Sequence, residues 1–363
     1  MRADLTIVIP TFNERANVRP MLALLDAALG GIAWEVVYVD DDSPDGTAEE
    51  VRAAARDDDR VHLIHRIGRR GLAGACIEGI LSATTPLVAV IDADLQHDET
   101  KLAEMVARFR ADPDLDLVIG SRHVDGGSIG EGFTAIRARG SEIATRLAKR
   151  LLKIDASDPM SGFFMVRRES FNQVVTGLQT QGFKILADML AAAKGRWTVA
   201  EVGYTFRDRR HGESKLDAAV TAEFLALLVA RMTGGVLPIR LILFLSVGAT
   251  GVIVQLAAMR LALLAGIEPF WIAQTFGVWV AMTTNFLLNN VLTYHDRTLR
   301  GRALVTGLFS FYAVCAVGAV ANVGVADVVY TVLPQAEVAS ATGAVVGALW
   351  NFVASALVTW RAR

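Results

Sequence analysis

Leu87-Val88-Ala89-Val90-Ile91-Asp92-Ala93-Asp94-Leu95-Gln96-His97 reads as a buried strand that delivers two carboxylates to its exit. Side chains alternate along an extended backbone, so Asp92 and Asp94 are expected to face the same way, with Gln96 continuing the row and Ala93 leaving space between them. Two carboxylates and an amide oxygen at the carboxyl end of a parallel strand make a hard, open half-shell. Mg²⁺ or Mn²⁺ takes such a shell when substrate phosphates complete it. An isolated Asp-x-Asp is more often an ordinary loop; its weight here comes from what surrounds it.

The segments around it alternate strand and helix. Strands are expected at Leu5 to Ile9, Glu35 to Val39, Val61 to His65 and Leu117 to Ser121, with helices near 16–29, 48–56, 74–82 and 101–110. This is the pattern of an open, doubly wound α/β sheet, whose ligands bind at the carboxyl ends of the strands. Four loops should meet there, the last of them Ser121 to Gly127. Pro10-Thr11-Phe12-Asn13-Glu14 offers a rigid exit, an aromatic platform and a carboxylate, and Asp40-Asp41-Asp42-Ser43-Pro44-Asp45-Gly46-Thr47 is too acidic to cradle a bare phosphate but suits a nucleobase N–H. Ser43 and Thr47 also read as helix caps. The third loop is Asp92 to His97.

Beyond Gly235 the chain changes character. It has no lysine, its acidic residues are Glu268, Asp296, Asp327 and Glu337, and four apolar stretches near 241–264, 270–292, 303–326 and 338–360 are each long enough to cross a bilayer. Basic residues gather at Arg297, Arg300, Arg302, Arg361 and Arg363, so the positive-inside rule puts both termini and the soluble part in the cytoplasm of a multi-pass membrane protein. The net charge of -2 carries no basic stripe in the soluble part, which argues against nucleic acid as a partner. Cys76 and Cys315 stand in different regions and read as packing residues. No charged-then-apolar leader opens the sequence, which reads as not secreted. Basic amphipathic helices, one carrying Ile143, Leu147, Leu151 and Leu152 between Arg146 and Lys153 and a second from Leu216 to about Met232, are expected to lie on an anionic membrane surface.

Together, Val8 to Glu14, Val39 to Thr47, Asp92 to His97, Gly120-Ser121-Arg122 and Asp158-Pro159-Met160-Ser161-Gly162-Phe163 resemble the GT-A fold glycosyltransferases of family 2, closest to the dolichol- or polyprenyl-phosphate mannose synthases. Phe244-Leu245-Ser246-Val247-Gly248 and Asn285 to Asn290 resemble the GtrA-like membrane domain. The fold this implies is a GT-A (Rossmann-like) open doubly wound α/β sheet over 1–215, an amphipathic juxtamembrane helix over 216–236 and an all-α transmembrane domain of four helices over 237–363. By resemblance, Pro10, Phe12, Glu14, Val39 and Asp41 hold the nucleoside, and Asp92, Ala93, Asp94 and Gln96 line the diphosphate. Asp92, Asp94 and Gln96 would bind Mg²⁺ or Mn²⁺. Arg209 and Lys215 act on the diphosphate and sugar, and with Asp94 form the catalytic set. Arg122, Arg137 and Ser141 receive the lipid phosphate, where a planar guanidinium can donate two bonds at once. Arg207 and Arg210 read as surface cations.

The implied reaction is inverting transfer of mannose from GDP-mannose to a dolichol or polyprenyl phosphate, giving a lipid-phosphate β-mannose and GDP. The alternatives are a UDP-glucose-dependent polyprenyl-phosphate glucosyltransferase, a processive polysaccharide synthase and a non-enzymatic lipid-linked sugar carrier or translocation protein. Gly195-Arg196-Trp197 lacks the glutamine of the Gln-x-x-Arg-Trp motif usual in the polymerising enzymes, and the intact Asp92, Asp94, Gln96, Arg209 and Lys215 argue against a degenerate module.

The charge pattern alone yields a topology test. In a background lacking Cys76 and Cys315, single cysteines at Glu268 and Gln335 are expected to react with an impermeant thiol reagent outside intact cells, and one at Thr298 is expected not to. Labelling at Thr298 would reverse the orientation.

Overall fold

The computed structural model describes residues 3–129, 156–180, 182, 184–207, 217–233, 237–268, 270–333 and 335–361. The chain divides into two compact units, Met1–Val236 and Leu237–Arg363.

The first unit is built on a seven-stranded sheet. Its strands are β1 (Leu5–Thr11), β2 (Trp34–Asp40), β3 (Val61–His65), β4 (Leu87–Val90), β5 (Leu117–Ser121), β7 (Phe164–Arg167) and β8 (Val199–Gly203). Between β5 and β7 in sequence comes β6 (Ser128–Ile129), which pairs with β9 (Thr205–Phe206) in a small separate ribbon. The spatial order is β3-β2-β1-β4-β7-β5-β8. All pairings in the large sheet are parallel except those of β7, which runs antiparallel to both β4 and β5. The expected doubly wound sheet is therefore mixed. A strand of four residues behind a run of turn-forming residues gave no sequence sign of its direction.

Alternation sorts the two faces. Ile7, Ile9, Val36, Tyr38 and Ala89 share one core with α1 (Val18–Ala28), α2 (Thr47–Asp57) and α4 (Lys101–Ala111). Each of these helices is amphipathic: α1 buries Val18, Met21 and Leu25, and α4 buries Leu102, Met105, Val106 and Phe109, at helical spacing. The other face, carrying Val8 and Val39, takes α3 (Leu72–Ser82), which is buried along most of its length. At Gly79 the approach is so close that a Cβ would lie 2.4 Å from Val8 Cγ1 and 3.0 Å from Val39 Cγ2. Two further helices, α5 (Arg168–Val174) and α6 (Ile185–Ala193), follow β7.

Helix α7 (Asp217–Met232) covers the stretch expected to be a basic surface helix. Its charged residues are Asp217, Glu223 and Arg231, and Arg231 does not face outward as a headgroup ligand would. Arg231 Nε donates to Asp188 Oδ1 at 2.6 Å and Nη2 to the Gly177 carbonyl at 2.9 Å, while Ala226, Leu227, Leu228 and Ala230 are buried. The other expected surface helix, around 143–153, lies outside the described residues.

In the second unit, four helices lie over the four apolar stretches: α8 (Ile239–Leu264), α9 (Phe270–Leu288), α10 (Arg302–Val332) and α11 (Ala336–Ala354). Among the described residues, two helices, Ile239–Leu264 and Arg302–Ala321, are long and apolar enough to cross a membrane. Helices α9 and α11 each pass into one π-helical turn, Asn289–Thr293 and Ser355–Thr359.

Substituting Gly79→Ala is expected to push α3 off β1 and β2 and cost about 1–3 kcal/mol, the usual penalty for overpacking a tight interface. Thermal midpoints in detergent check this. Val8→Ala in the same chain should recover part of the loss.

Candidate active site

The first two loops are tied together at the carboxyl edge of the sheet by their small hydroxyl residues. Asn13 N–H donates to Ser43 Oγ at 2.9 Å and Glu14 N–H to Thr47 Oγ1 at 3.0 Å. Ser43 Oγ donates to Asp40 Oδ1 and Thr47 Oγ1 to Asp45 Oδ1. Neither caps α2 with its side chain. The N-cap of α2 is Gly46, at φ 86°, so these hydroxyls join two loops that the sequence read separately.

Pro10 and Val39 are buried at the strand ends, and Phe12 and Glu14 are part-exposed beyond them. The guanidinium of Arg70 lies over the Phe12 ring, 4.4 Å from its centroid. Asp41 is 7 % exposed, and its two oxygens already have partners: Arg66 Nη1, and the Gly71 N–H at 2.6 Å. Burial raises the Asp41 carboxyl above its usual range against the opposing pull of Gly71 and Arg66. Asp41 thus anchors the Arg66–Gly71 turn. Sequence reading missed Arg66, a 5 %-exposed cation whose buried partner lies 25 positions away.

The Asp-x-Asp motif lies past the strand, not in it. β4 ends at Val90, and Leu95 takes φ 63°. Alternation nonetheless survives: Ala93, Leu95 and His97 point into the core, whereas Asp92, Asp94 and Gln96 are part-exposed. Asp92 N–H donates to His97 Nδ1 at 3.2 Å, and the His97 ring stacks on Phe163 with centroids 5.4 Å apart. Burial lowers the His97 pKa to about 4, so the ring is neutral, and its Nδ1 lone pair is taken up by the Asp92 N–H. Gln96 Nε2 donates to the Arg207 carbonyl at 3.0 Å, and Arg207 in turn pairs with Asp98 and Glu99 at 2.9 and 2.6 Å. Arg207, expected as a surface cation, is a brace for this loop.

One segment collects the remaining groups. Asp158 takes the Arg122 guanidinium bidentately, through Nε at 2.7 Å and Nη2 at 2.9 Å. Burial alone would raise Asp158, but the Arg122 bonds and charge outweigh it and hold the carboxyl below its usual range. Two residues on, the Met160 carbonyl accepts from Lys184 Nζ at 3.3 Å. Burial lowers the Lys184 pKa, and Arg122, Asp92 and Asp158 all act on its charge. Gly162 then passes so close to Asp92 that a Cβ would sit 2.8 Å from Asp92 Oδ2. Arg122, expected to present both arms to a lipid phosphate, has two nitrogens engaged by Asp158. Lys184 was missed, since one lysine before an apolar helix carries no motif. Arg137, Ser141, Arg209 and Lys215 lie outside the described residues.

The donors around Asp92 suit a hard divalent cation. Asp92, Asp94 and Gln96 are part-exposed oxygen donors of that kind, and among the described residues no three His, Cys, Asp or Glu side chains group as a metal set. The nearby His97 Nδ1 is occupied by the Asp92 N–H.

Comparison with known proteins identifies the family. Residues 6–175 match glycosyl transferase family 2, and residues 243–360 match the GtrA/DPMS transmembrane domain. A dolichol-phosphate mannosyltransferase from Pyrococcus furiosus is 32 % identical over 360 residues, 98 % of this chain and 99 % of that one. One from Mycosarcoma maydis is 34 % identical over 247 residues, covering 66 % of this chain and 83 % of the relative. Among solved structures, glucosyl-3-phosphoglycerate synthase from Mycobacterium tuberculosis, in complex with Mn²⁺, UDP and glucosyl-3-phosphoglycerate, superposes with a TM-score of 0.51 at 19 % identity over 64 % of this chain and 80 % of that one, a likeness of fold. The chain belongs to glycosyl transferase family 2, among the members that carry a GtrA/DPMS transmembrane domain.

Proposed function

We propose that the protein transfers mannose from GDP-mannose to a dolichol or polyprenyl phosphate, with inversion, at the cytoplasmic face of a membrane. The observation that carries this reading is the gathering of Asp92, Arg122 and Lys184 by the Asp158–Gly162 segment at the carboxyl edge of the sheet. It puts a carboxylate suited to a cation beside fixed positive charge, as a departing diphosphate and an arriving phosphate require. The names of the relatives point to the sugar and to the lipid.

On this reading the nucleoside lies along Pro10, Phe12, Glu14, Val39 and Asp41, with the Arg70–Phe12 pair offering a flat cationic face beside it. Asp92, Asp94 and Gln96 would hold Mg²⁺ or Mn²⁺, with Ala93 at the diphosphate. A bound divalent cation supplies positive charge to the leaving diphosphate. Arg209 and Lys215 add to that charge, and Arg122, Arg137 and Ser141 receive the acceptor. The lipid phosphate is already an anion near neutral pH, so no side chain has to remove a proton. Its oxygen attacks the anomeric carbon as the bond to the diphosphate oxygen breaks, and GDP leaves. A single displacement turns an α-linked donor into a β-linked product. Arg122, held by Asp158, is preorganised and needs no reorientation during the step.

Incubation of the purified protein with labelled sugar nucleotides and short polyprenyl phosphates tests the reading. Transfer from GDP-mannose alone is the expected result, and transfer from UDP-glucose alone would replace the donor. Asp94→Ala is expected to lower turnover at least about 100-fold, on the scale of losing one electrostatic stabiliser, with an unchanged thermal midpoint because the side chain is part-exposed beyond the strand. Arg122→Lys keeps the charge but loses the fork. It should weaken use of lipid phosphate about 10-fold or more while nucleotide affinity, read by calorimetry, stays within about 2-fold. Equal losses would assign Arg122 to the donor side.

A further inference from the structure

The membrane unit contains the same pattern twice. Asn285, Phe286, Thr293, Tyr294 and Arg297 recur 66 residues later as Asn351, Phe352, Thr359, Trp360 and Arg363. In the preceding helices, Phe244, Val247 and Gly251 recur 67 residues later as Phe311, Val314 and Gly318. The first set runs through α8 and α9, the second through α10 and α11.

The contacts repeat as well. A Cβ on Gly251 would meet the Asn285 amide at 2.4 Å, and one on Gly318 would meet Asn351 Oδ1 at 2.0 Å. Each asparagine therefore lies in a notch that only glycine leaves open. Asn285 Oδ1 and Asn351 Oδ1 are buried with no conventional hydrogen-bond partner, and the glycine Cα–H groups face them, a weak bond that recurs at close helix crossings. Both second helices end in a π-helical turn of the same kind: Tyr294 N–H donates to the Asn289 carbonyl at 2.8 Å, and Trp360 N–H to that of Ser355 at 2.9 Å.

Contacts between the halves are reciprocal. Phe244 meets Phe352 with ring centroids 5.7 Å apart, and the corresponding pair, Phe311 and Phe286, meets at 5.8 Å. Tyr294 and Trp360 correspond to each other and stack directly, at 4.3 Å and 7°. When residue i of one half meets residue j of the other, and the counterparts of i and j also meet, the halves are related by a two-fold axis. A pair of counterparts that touch each other marks that axis.

We propose that residues 239–361 are two copies of one helical hairpin, packed through a self-complementary surface about a pseudo-two-fold axis that passes between Tyr294 and Trp360. The surface of each hairpin fits a second hairpin of the same kind. Both copies run in the same direction, so the axis lies along the bundle and each hairpin begins and ends on the same side, as Arg297 and Arg363 at equivalent positions require. The equivalence breaks at one end. Arg240 pairs with Asp296 and lies over the Tyr294 ring, whereas the second copy has Gly307 and Ala362 at these positions. Asn290, opposite Ala356 in the repeat, accepts from Trp360 Nε1 at 3.0 Å and from Leu299 N–H at 2.8 Å. These are additions by the first copy, at the end where it receives the chain from the first unit.

Cross-linking of the full chain tests this without any assay of transfer. In a background with Cys76→Ser and Cys315→Ser, the double variants Phe244→Cys/Phe352→Cys and Phe286→Cys/Phe311→Cys should both be bridged within one chain by a short bifunctional thiol reagent, as equivalent contacts about a two-fold axis require. Bridging of one pair only would overturn the axis. Because those rings are buried, a second pair of variants is measured: Gly251→Ala and Gly318→Ala should lower the thermal midpoint by the same several degrees, and a loss confined to one glycine would overturn the equivalence. Arg240→Gln with Asp296→Asn should leave both cross-links in place. Their disappearance would mean that the ion pair, not the repeated surface, joins the hairpins.

Discussion

At the reactive edge of the first unit, the segment before β7 is tied to the end of β5 by a buried ion pair. Arg122 and Asp158 come from the end of β5 and from the turn before β7, and their bidentate bond fixes the approach of the one antiparallel strand. Both side chains are withdrawn from water, with exposures of 13 % and 1 %. Losing one partner would strand a buried charge, at a cost of about 3–5 kcal/mol. With that bond made, the Met160 carbonyl faces Lys184 and Gly162 rests against Asp92. The placing of Lys184 and Asp92 at this edge thus follows from the Arg122–Asp158 pair.

The parallel strands were legible because each is a short run, mostly apolar, closed by proline or a polar residue. Val61–His65 and Leu117–Ser121 lie where the pattern placed them. The Asp-x-Asp loop was found for its residue types, while its backbone was not. The strand ends at Val90, one residue short of the expected Ile91, and Leu95 adopts a left-handed conformation that no leucine suggests, while the faces keep alternating. What could not be read were partners far apart in sequence. Arg66 with Asp41, Arg207 with Glu99 and Arg231 with Asp188 each turn a nominal surface cation into a brace. Charge type is visible in a sequence, but the partner that neutralises it is supplied by the fold.

Backbone strain is concentrated at the same edge. Of the four non-glycine residues with positive φ among the described residues, Asn13, Asp42 and Leu95 lie in the loops after β1, β2 and β4. Asparagine and aspartate tolerate that conformation through local hydrogen bonds, but leucine does not and costs roughly 1–2 kcal/mol there. Leu95 is held nonetheless, because its side chain is 5 % exposed in the core. Burial of such a side chain contributes about 1.5–3 kcal/mol, enough to offset the strain. The turn that presents Asp94 and Gln96 is therefore set by a core contact, and the strained residue is the link between core and site.

The membrane unit meets the opposite problem. Its apolar surface cannot drive helices together in lipid, so close contact and internal polar bonds have to do so. Gly251 and Gly318 give the close contact, and Asn290 supplies bonds to Trp360 and Leu299 that no water would make. A polar side chain in such a bundle is costly wherever it is unmatched. Repeating one solved hairpin is the cheapest way to double the buried surface, since each asparagine arrives with its own glycine notch. The departures from the repeat, Arg240, Asp296 and Asn290, then carry a meaning of their own. They satisfy one another or the aromatic stack, so the Arg240–Asp296 pair that the first copy adds beyond the repeat closes within that copy.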